Sequence, residues 1–215
     1  MTYAMLLHEK LADKHLILAS ASPRRRQLLA EAGIRFDLAD KYDCDETLPA
    51  GFPAAEAATH IAARKSLAYP KPLADNEILI TADTVVIING SVLGKPAGRD
   101  DALRMLHMLS GATHTVATGV MLRTATASRL FKVETAVTLR TLTDEEAAYY
   151  VDTFRPYDKA GAYGIQEWIG YAAVERIEGS FYNVMGLPVQ RLYVELGEFV
   201  DECGCSAAPC SAGKK

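Results

Sequence analysis

Long hydrophobic stretches are absent from this 215-residue chain. No apolar run approaches the ~18–20 residues that a membrane-spanning helix requires. The first fourteen residues carry several charges and have no long apolar centre followed by a small-residue cleavage site, so they do not resemble a secretion signal. We therefore expect a cytoplasmic protein that has no membrane partner.

A surplus of basic residues is also missing, because 23 lysines and arginines stand against 27 aspartates and glutamates, for a formal net charge of −4. Proteins that bind nucleic acid through their general surface carry the opposite balance. We therefore expect no nucleic-acid partner, and any anion must be bound by cations that are gathered locally.

Cysteine is scarce, and three of the four cysteines lie near the C-terminus, at Cys203, Cys205 and Cys210. These three could bind a metal, but no histidine follows Lys159 and the chain has no second cysteine pair. The composition favours a flexible tail over a metal site. We therefore predict three parts: an N-terminal extension (1–14), one domain (15–200) and a tail (201–215).

Strand-like and helix-like segments alternate along the chain, which predicts an α/β layer fold. A short apolar run from His15 leads into a helix that Ser22 and Pro23 begin and Gly33 ends. A long apolar strand then reaches residues 89–90, an Asn-Gly pair that is typical of a tight turn into a short return strand.

The second half of the chain continues this alternation. Two further strands lie between helices predicted at 99–110 and 144–154, and Thr143 and Glu146 form a capping box for the second helix. We predict a polar, glycine-rich loop over 155–170, then a strand over the sequence YAAVERI and a final helix after Pro188.

Asp83 is the most conspicuous polar residue, because it interrupts the apolar stretch ILITADTVVII. An isolated carboxylate among apolar neighbours is costly to bury unless it is paired, protonated or bound to a metal. Asp83 could cap a turn at a strand end, but we favour a functional role. A carboxylate beside a cleft is well placed to act as a general base or as a metal ligand.

Positive charge gathers at Arg24 and Arg25, which begin the first main helix. Helix N–H groups and the helix dipole already favour an anion there, and arginine forks suit phosphate oxygens. Lys65 and Lys95 would each be read alone as solvated surface lysines, but together with the arginines they indicate a polyanion such as a triphosphate. Arg26 is expected on a solvated face.

Two further segments are ambiguous on their residues alone. Asp45 and Glu46 could bind a hard divalent ion together with Asp83, or could simply form an acidic approach to a helix. In the loop YDKAGAYGIQ, Gln166 offers a donor and an acceptor that suit the edge of a nucleobase, although a plain surface turn fits equally well.

Together these residues resemble those of the Maf-like nucleotide pyrophosphatases, and the resemblance runs from about His15 to Phe199. The matching segments follow the order that the family has: LASASPRRRQLL, DETLP, AARKSLA, ITADTVV, LGKP, LSGATHTVATGV, DKAGAYGIQ and IEGSFYNVMGLP. The resemblance implies a mixed-sheet α/β fold with two lobes around a central cleft, similar to the inosine triphosphate pyrophosphatases. It also implies a divalent metal, Mg²⁺ or Mn²⁺, and a homodimer is common in the family.

The resemblance further implies roles for individual residues. Enzymes of this family hydrolyse a nucleoside triphosphate to the monophosphate and pyrophosphate, and Asp83 would accept the proton of the attacking water. Glu46 would join Asp83 as a metal ligand. The phosphate-binding positions would be Ser20, Arg25, Lys65 and Lys95, assisted by Arg24.

Three positions indicate the branch of the family that acts on dTTP and UTP: Arg24, Thr84 and Gln166. Two alternatives remain open on the sequence. One is a nucleotide-binding regulator of cell division without turnover, and the other is a pyrophosphatase that acts mainly on modified pyrimidine nucleotides.

Overall fold

A twisted seven-stranded mixed sheet forms the centre of the computed structural model, which describes residues 6–205. Six strands follow the spatial order β2-β1-β3-β5-β6-β7, and β4 pairs with β3 off this path. The strands are β1 (His15–Leu18), β2 (Asp37–Leu38), β3 (Glu77–Ile88), β4 (Ser91–Leu93), β5 (Thr113–Arg123), β6 (Ser128–Leu139) and β7 (Val174–Glu178).

Helices cover the sheet. They are α1 (Leu7–Lys10), α2 (Pro23–Glu31), α3 (Ala57–Leu67), α4 (Arg99–Leu109), α5 (Asp144–Phe154), α6 (Trp168–Ala173), α7 (Phe181–Met185) and α8 (Val189–Cys205), with short 3-10 turns at Ala54–Glu56 and Ala160–Ala162. In the described part of the chain, no helix combines the length and the apolar character needed to cross a membrane.

The cleft lies along the strand β3, because one edge of this strand is paired continuously and the other edge is not. Along one edge β5 runs antiparallel to β3 from Leu79 to Ile87. On the other edge β1 pairs in parallel only as far as Ile80, and β4 pairs in the antiparallel sense only from Val86 onward. Residues 81–85 therefore have no strand partner on this edge, and the sheet opens there.

Separate hydrophobic cores lie on the two sides of this opening. One contains residues of α2 and α8 packed against the first half of β3, such as Leu29, Ile80 and Leu196. The other contains residues of α4 and α5 packed against its second half, such as Leu106, Val86 and Tyr150. The predicted mixed α/β fold with two lobes around a cleft is confirmed.

The sequence located the long elements better than the short ones. The capping box at Thr143 and Glu146 is present, and α5 spans 144–154 as predicted. The strand predicted over YAAVERI is wrong in its first half, because α6 continues to Ala173 and β7 begins at Val174. The helices α6 and α7 have six and five residues, too few to produce a helical repeat in the sequence.

The first and last described helices of the chain contact each other. At the start, α1 packs on α8, and Lys10 pairs with Asp201. At the other end α8 runs to Cys205, so its last turn enters the segment that the sequence assigns to a tail. The rest of that predicted tail, including Cys210, lies outside the described residues.

Candidate active site

A cleft of about 940 Å³ lies at the open edge of β3, large enough for a small-molecule ligand. Because the sheet is interrupted there, side chains from both of its faces reach the same space. The nine residues to which the family resemblance gives roles all line this cleft: Ser20, Arg24, Arg25, Glu46, Lys65, Asp83, Thr84, Lys95 and Gln166. Their positions in the chain span almost 150 residues, so the fold alone brings them together. Asp45, the other candidate metal ligand, does not line it and pairs with Arg64.

Asp83 lies in the middle of β3, opposite Gly119 of β5, and not at a strand end. Its Oδ1 accepts a hydrogen bond of 2.7 Å from Nζ of Lys65 on α3. The same ammonium lies 3.2 Å from Oε2 of Glu46. The side chains of Asp83 and Lys65 are only 14% and 17% exposed, so this pair stabilises a carboxylate that the apolar strand alone would not.

The close approach of α3 to the sheet places Lys65 over Asp83. A Cβ on Gly119 would lie 2.5 Å from the backbone atoms of Ala58 and Thr59, so glycine is needed where the helix crosses β5. The end of α3 is also fixed, because the Tyr42 hydroxyl donates to the carbonyl of Lys65 at 2.7 Å. Burial raises the pKa of Tyr42 to about 12, so the phenol remains a donor at neutral pH.

Arg25 binds protein atoms and is only 8% exposed. Its guanidinium donates to the carbonyls of Ala82 and Gly186 at 2.8 and 2.7 Å, to Oγ1 of Thr84 at 3.0 Å and to Oγ of Ser20 at 3.3 Å. Burial lowers the pKa of Arg25. Four of its five N–H donors are therefore used within the protein, and Arg25 joins α2 to the open edge of β3 and to the end of α7.

Thr84 and Lys95 lie in contrasting surroundings. The Thr84 hydroxyl is 2.9 Å from the hydroxyl of Thr118, accepts from Arg25 and faces the side of the sheet opposite to Asp83. Lys95 is exposed and forms no ion pair or hydrogen bond with the described residues. Of the cations predicted to bind phosphate, Lys95 is thus the one that has neither a side-chain hydrogen bond nor an ion pair within residues 6–203.

Arg24 belongs to a series of charged groups at the other end of the cleft. Its Nη1 donates to Oδ2 of Asp158 at 2.9 Å, and Oδ1 of Asp158 accepts from Nζ of Lys159 at 2.7 Å. Lys159 is 8% exposed and lies 3.1 Å from Oε1 of Glu167. Burial would raise the pKa of Asp158, but the hydrogen bonds from Lys159 and Arg24 outweigh it and hold that pKa below its usual value.

Gln166 lies on the loop after α5, between the main cleft and a smaller apolar cavity of about 340 Å³. The smaller cavity is lined mainly by apolar side chains, among them Tyr171, Phe181 and Met185. The Oε1 atom of Gln166 is shielded from solvent and has no hydrogen-bond partner among the described residues. An unpaired buried acceptor is costly, so an N–H group of a ligand that reached it would bind favourably.

The carboxylates of the cleft fit a hard divalent ion, although they form an incomplete set of ligands. In the described part of the chain, no three histidine, cysteine or acidic side chains converge to form a metal site. Asp83 and Glu46 do converge, since both lie within 3.2 Å of the same ammonium. Magnesium is commonly held by one or two carboxylates, with water and substrate phosphates completing its shell.

Four residues of the site were not predicted from the sequence as site residues: Tyr150, Asp158, Lys159 and Glu167. Two of them, Asp158 and Lys159, belong to the polar loop already identified, where a charged pair precedes a run of small residues. Tyr150 lies in a helix whose apolar pattern indicates only a core position. Its contact with Glu167 depends on how the loop folds back and leaves no local pattern in the sequence.

The fold and the cleft define an α/β protein that combines carboxylates with cations suited to phosphate oxygens. A comparison with protein families places residues 15–199 in the family described as "Maf-like protein". The chain belongs to this family, as the sequence predicts.

Curated relatives extend over most of the chain. A protein of Parabacteroides distasonis named dTTP/UTP pyrophosphatase is 52% identical, over 89% of this chain and 99% of its own. A protein of Porphyromonas gingivalis with the same name is 50% identical, over 89% and 97% respectively. Among solved structures, a HAM1 protein from Coxiella burnetii matches at 13% identity with a TM-score of 0.45, over 86% of this chain and 99% of that one.

Proposed function

We propose that this protein hydrolyses dTTP and UTP between the α and β phosphates, releasing the nucleoside monophosphate and pyrophosphate. The observation that carries the proposal is Asp83, a carboxylate inside an apolar strand, held by Lys65 at the open edge of the sheet. The names of the relatives that share about half of their residues with this chain support the choice of substrate.

In this proposal Asp83 orients a water molecule in the cleft and accepts its proton as the oxygen attacks phosphorus. Phosphoryl transfer needs little covalent help from the protein, so positioning and charge neutralisation dominate. Asp83 and Glu46 would hold a divalent ion, which would neutralise charge on the phosphate oxygens. Lys65 keeps the two carboxylates together and supplies a further positive charge beside them.

Binding of the triphosphate would exchange existing ion pairs for new ones. Lys95 is the cation free to meet the phosphates directly, while Lys65 and Arg24 are each paired with a carboxylate. Arg25 contributes through the geometry it gives the open edge of β3. Charge that is compensated in the free protein avoids self-repulsion in the cleft before the ligand arrives.

Gln166 would select the base. Thymine and uracil carry an N–H at position 3, whereas cytosine carries an acceptor there. The unpaired Oε1 of Gln166 would accept from that N–H once its amide turns into the cleft, and it would repel the cytosine nitrogen. The C5 side of the base is less constrained by this contact, so modified uridine nucleotides belong in the same substrate class.

The test is pyrophosphate release from a panel of dTTP, UTP, 5-methyl-UTP, CTP, dATP and GTP, with Mg²⁺ and then Mn²⁺. We expect the highest kcat/KM for dTTP and UTP. Tight binding of dTTP without turnover in either metal would instead support the regulatory alternative. A preference for CTP would contradict the role given to Gln166.

A further inference from the structure

We propose that Tyr150 and Glu167 are positioning residues for base selection: they fix the loop that carries Gln166 and, through Lys159 and Asp158, they orient Arg24. This inference rests on the proposed function, because it assigns the means by which the same cleft distinguishes bases. Neither residue touches the ligand in this account.

The Tyr150 hydroxyl forms hydrogen bonds both as a donor and as an acceptor. It donates to Oε2 of Glu167 and accepts from the backbone N–H of Gly164 at 3.0 Å. The ring is fully buried and stacks against Phe154 with a centroid separation of 5.2 Å. A rigid residue of α5 therefore holds the loop at two points, one on each side of Gln166.

Both carboxylate oxygens of Glu167 also have partners. Oε2 accepts from Tyr150, and Oε1 lies 3.1 Å from the ammonium of Lys159. Lys159 in turn binds Asp158, which binds Arg24 of α2. One continuous series of hydrogen bonds and ion pairs therefore leads from the core of one lobe, through the loop, to the helix of the other lobe.

Three polar side chains lie close around Gly164. A Cβ on Gly164 would lie 3.0 Å from Nε2 of Gln166 and 3.1 Å from both Cδ of Glu167 and Cε of Lys159. Gln166, Glu167 and Lys159 therefore pack around one glycine, and a change at Gly164 reaches all three. Loss of the Tyr150 hydroxyl would also leave the N–H of Gly164 without that acceptor.

This series is separate from the group that contains Asp83. The described hydrogen bonds and ion pairs link Asp83 to Lys65 and Glu46, and they include none between those residues and the series from Tyr150 to Arg24. A substitution of Tyr150 should therefore affect recognition of the base more than it affects the group around Asp83. We expect a change in the choice of base that is larger than any change in the affinity for the phosphates.

The experiment compares Tyr150→Phe and Glu167→Gln with the control Tyr149→Phe. Tyr149 precedes Tyr150 on α5 and is half exposed, and its hydroxyl has no hydrogen bond with the described residues, so its variant removes the same atom without touching the series. For each protein we would measure kcat/KM for dTTP and CTP. Dissociation constants for dTTP, CTP and inorganic triphosphate would be measured by calorimetry.

Tyr150→Phe and Glu167→Gln are each expected to lower the dTTP-to-CTP ratio by roughly three- to tenfold, as expected for one misplaced hydrogen bond. The dissociation constant for inorganic triphosphate should change by a smaller factor than this ratio, and the double variant should lose no more selectivity than the larger single effect. Tyr149→Phe should match the wild type. If Tyr150→Phe does not fold, Glu167→Gln decides the question.

The inference fails if the ratio in Glu167→Gln equals that of Tyr149→Phe, or if triphosphate binding weakens in parallel with dTTP binding. The ratio of the dissociation constants for dTTP and CTP does not depend on hydrolysis, so it tests the positioning role independently of the proposed function. A wild-type protein that binds dTTP more tightly than CTP but releases no pyrophosphate would refute hydrolysis and leave the positioning role measurable. A wild-type protein that binds neither nucleotide would refute both.

Discussion

The two ends of the cleft are built on different kinds of structure. The reaction end, defined by Asp83, Lys65 and Glu46, takes its central pair from the strand β3 and the helix α3. The recognition end, defined by Arg24, Asp158, Lys159, Gln166 and Glu167, lies mainly on the loop that follows α5. Regular elements hold groups more precisely than loops do, so the loop depends for its position on a series of polar contacts that is buried at Tyr150 and Lys159 and exposed at Asp158.

The two ends also differ in charge. The reaction end has two carboxylates for one ammonium, and a divalent cation would offset this excess of negative charge. At the recognition end two cations, Arg24 and Lys159, match two carboxylates, Asp158 and Glu167. This difference in charge favours chemistry at the first end and choice of ligand at the second.

The largest effect is expected at Asp83. In Asp83→Asn the side chain keeps its size but cannot accept the proton, so kcat should fall by about 10²–10⁴-fold, the usual range for a general base. Asp75→Asn, the same change at an exposed position outside the cleft, serves as the control. Rates of pyrophosphate release that are equal in the two variants would remove Asp83 from the mechanism.

Gly119→Ala should be the next most damaging change. Its Cβ would meet backbone atoms of α3, which cannot move aside cheaply, so we expect a loss of about 1–3 kcal/mol in the free energy of unfolding. Turnover should also fall, because Lys65 moves with α3. Urea unfolding and steady-state assays would measure both quantities, and a variant with full stability would refute the close approach.

Gly164→Ala makes the same change at the recognition end, where its Cβ would meet the far ends of three flexible side chains. The loss of stability should be smaller than for Gly119→Ala, and the dTTP-to-CTP ratio should fall. Measured side by side, the two glycine variants give the order of stability losses expected for a helix–sheet contact and for a loop. A larger loss of stability at Gly164 than at Gly119 would reverse it.

The smallest effect is expected at Arg26. Its side chain forms no hydrogen bond or ion pair with the described residues, whereas Arg24 is bound to Asp158. Arg26→Ala should therefore leave kcat/KM for dTTP nearly unchanged, and Arg24→Ala should lower it. Equal losses in the two variants would mean that this part of α2 acts through its total charge alone.

The sequence was informative wherever the relevant contacts are local. Apolar runs located β1, β3 and β5, and the pair Thr143 and Glu146 marked the start of α5. Asp83 was conspicuous because its neighbours in the chain are apolar. Nine of the residues that line the cleft follow from their own chemistry together with the family resemblance.

The sequence was less informative about partners, because they come from distant parts of the chain. The sequence predicts that Arg25 binds phosphate, and in the structure its acceptors include the carbonyls of Ala82 and Gly186, 57 and 161 residues away. No composition or spacing predicts such a contact. The one-turn helices α6 and α7 are also set by their surroundings, since so few residues show no periodicity.

We infer that chemistry and base choice depend on separate groups of residues in one cleft. The most direct test of this claim is kcat/KM for dTTP and for CTP, measured side by side in Asp83→Asn and Gln166→Ala. We predict that Asp83→Asn lowers both values by the same factor and keeps their ratio, whereas Gln166→Ala changes the ratio. A ratio that changes in Asp83→Asn, or that survives in Gln166→Ala, would contradict the claim.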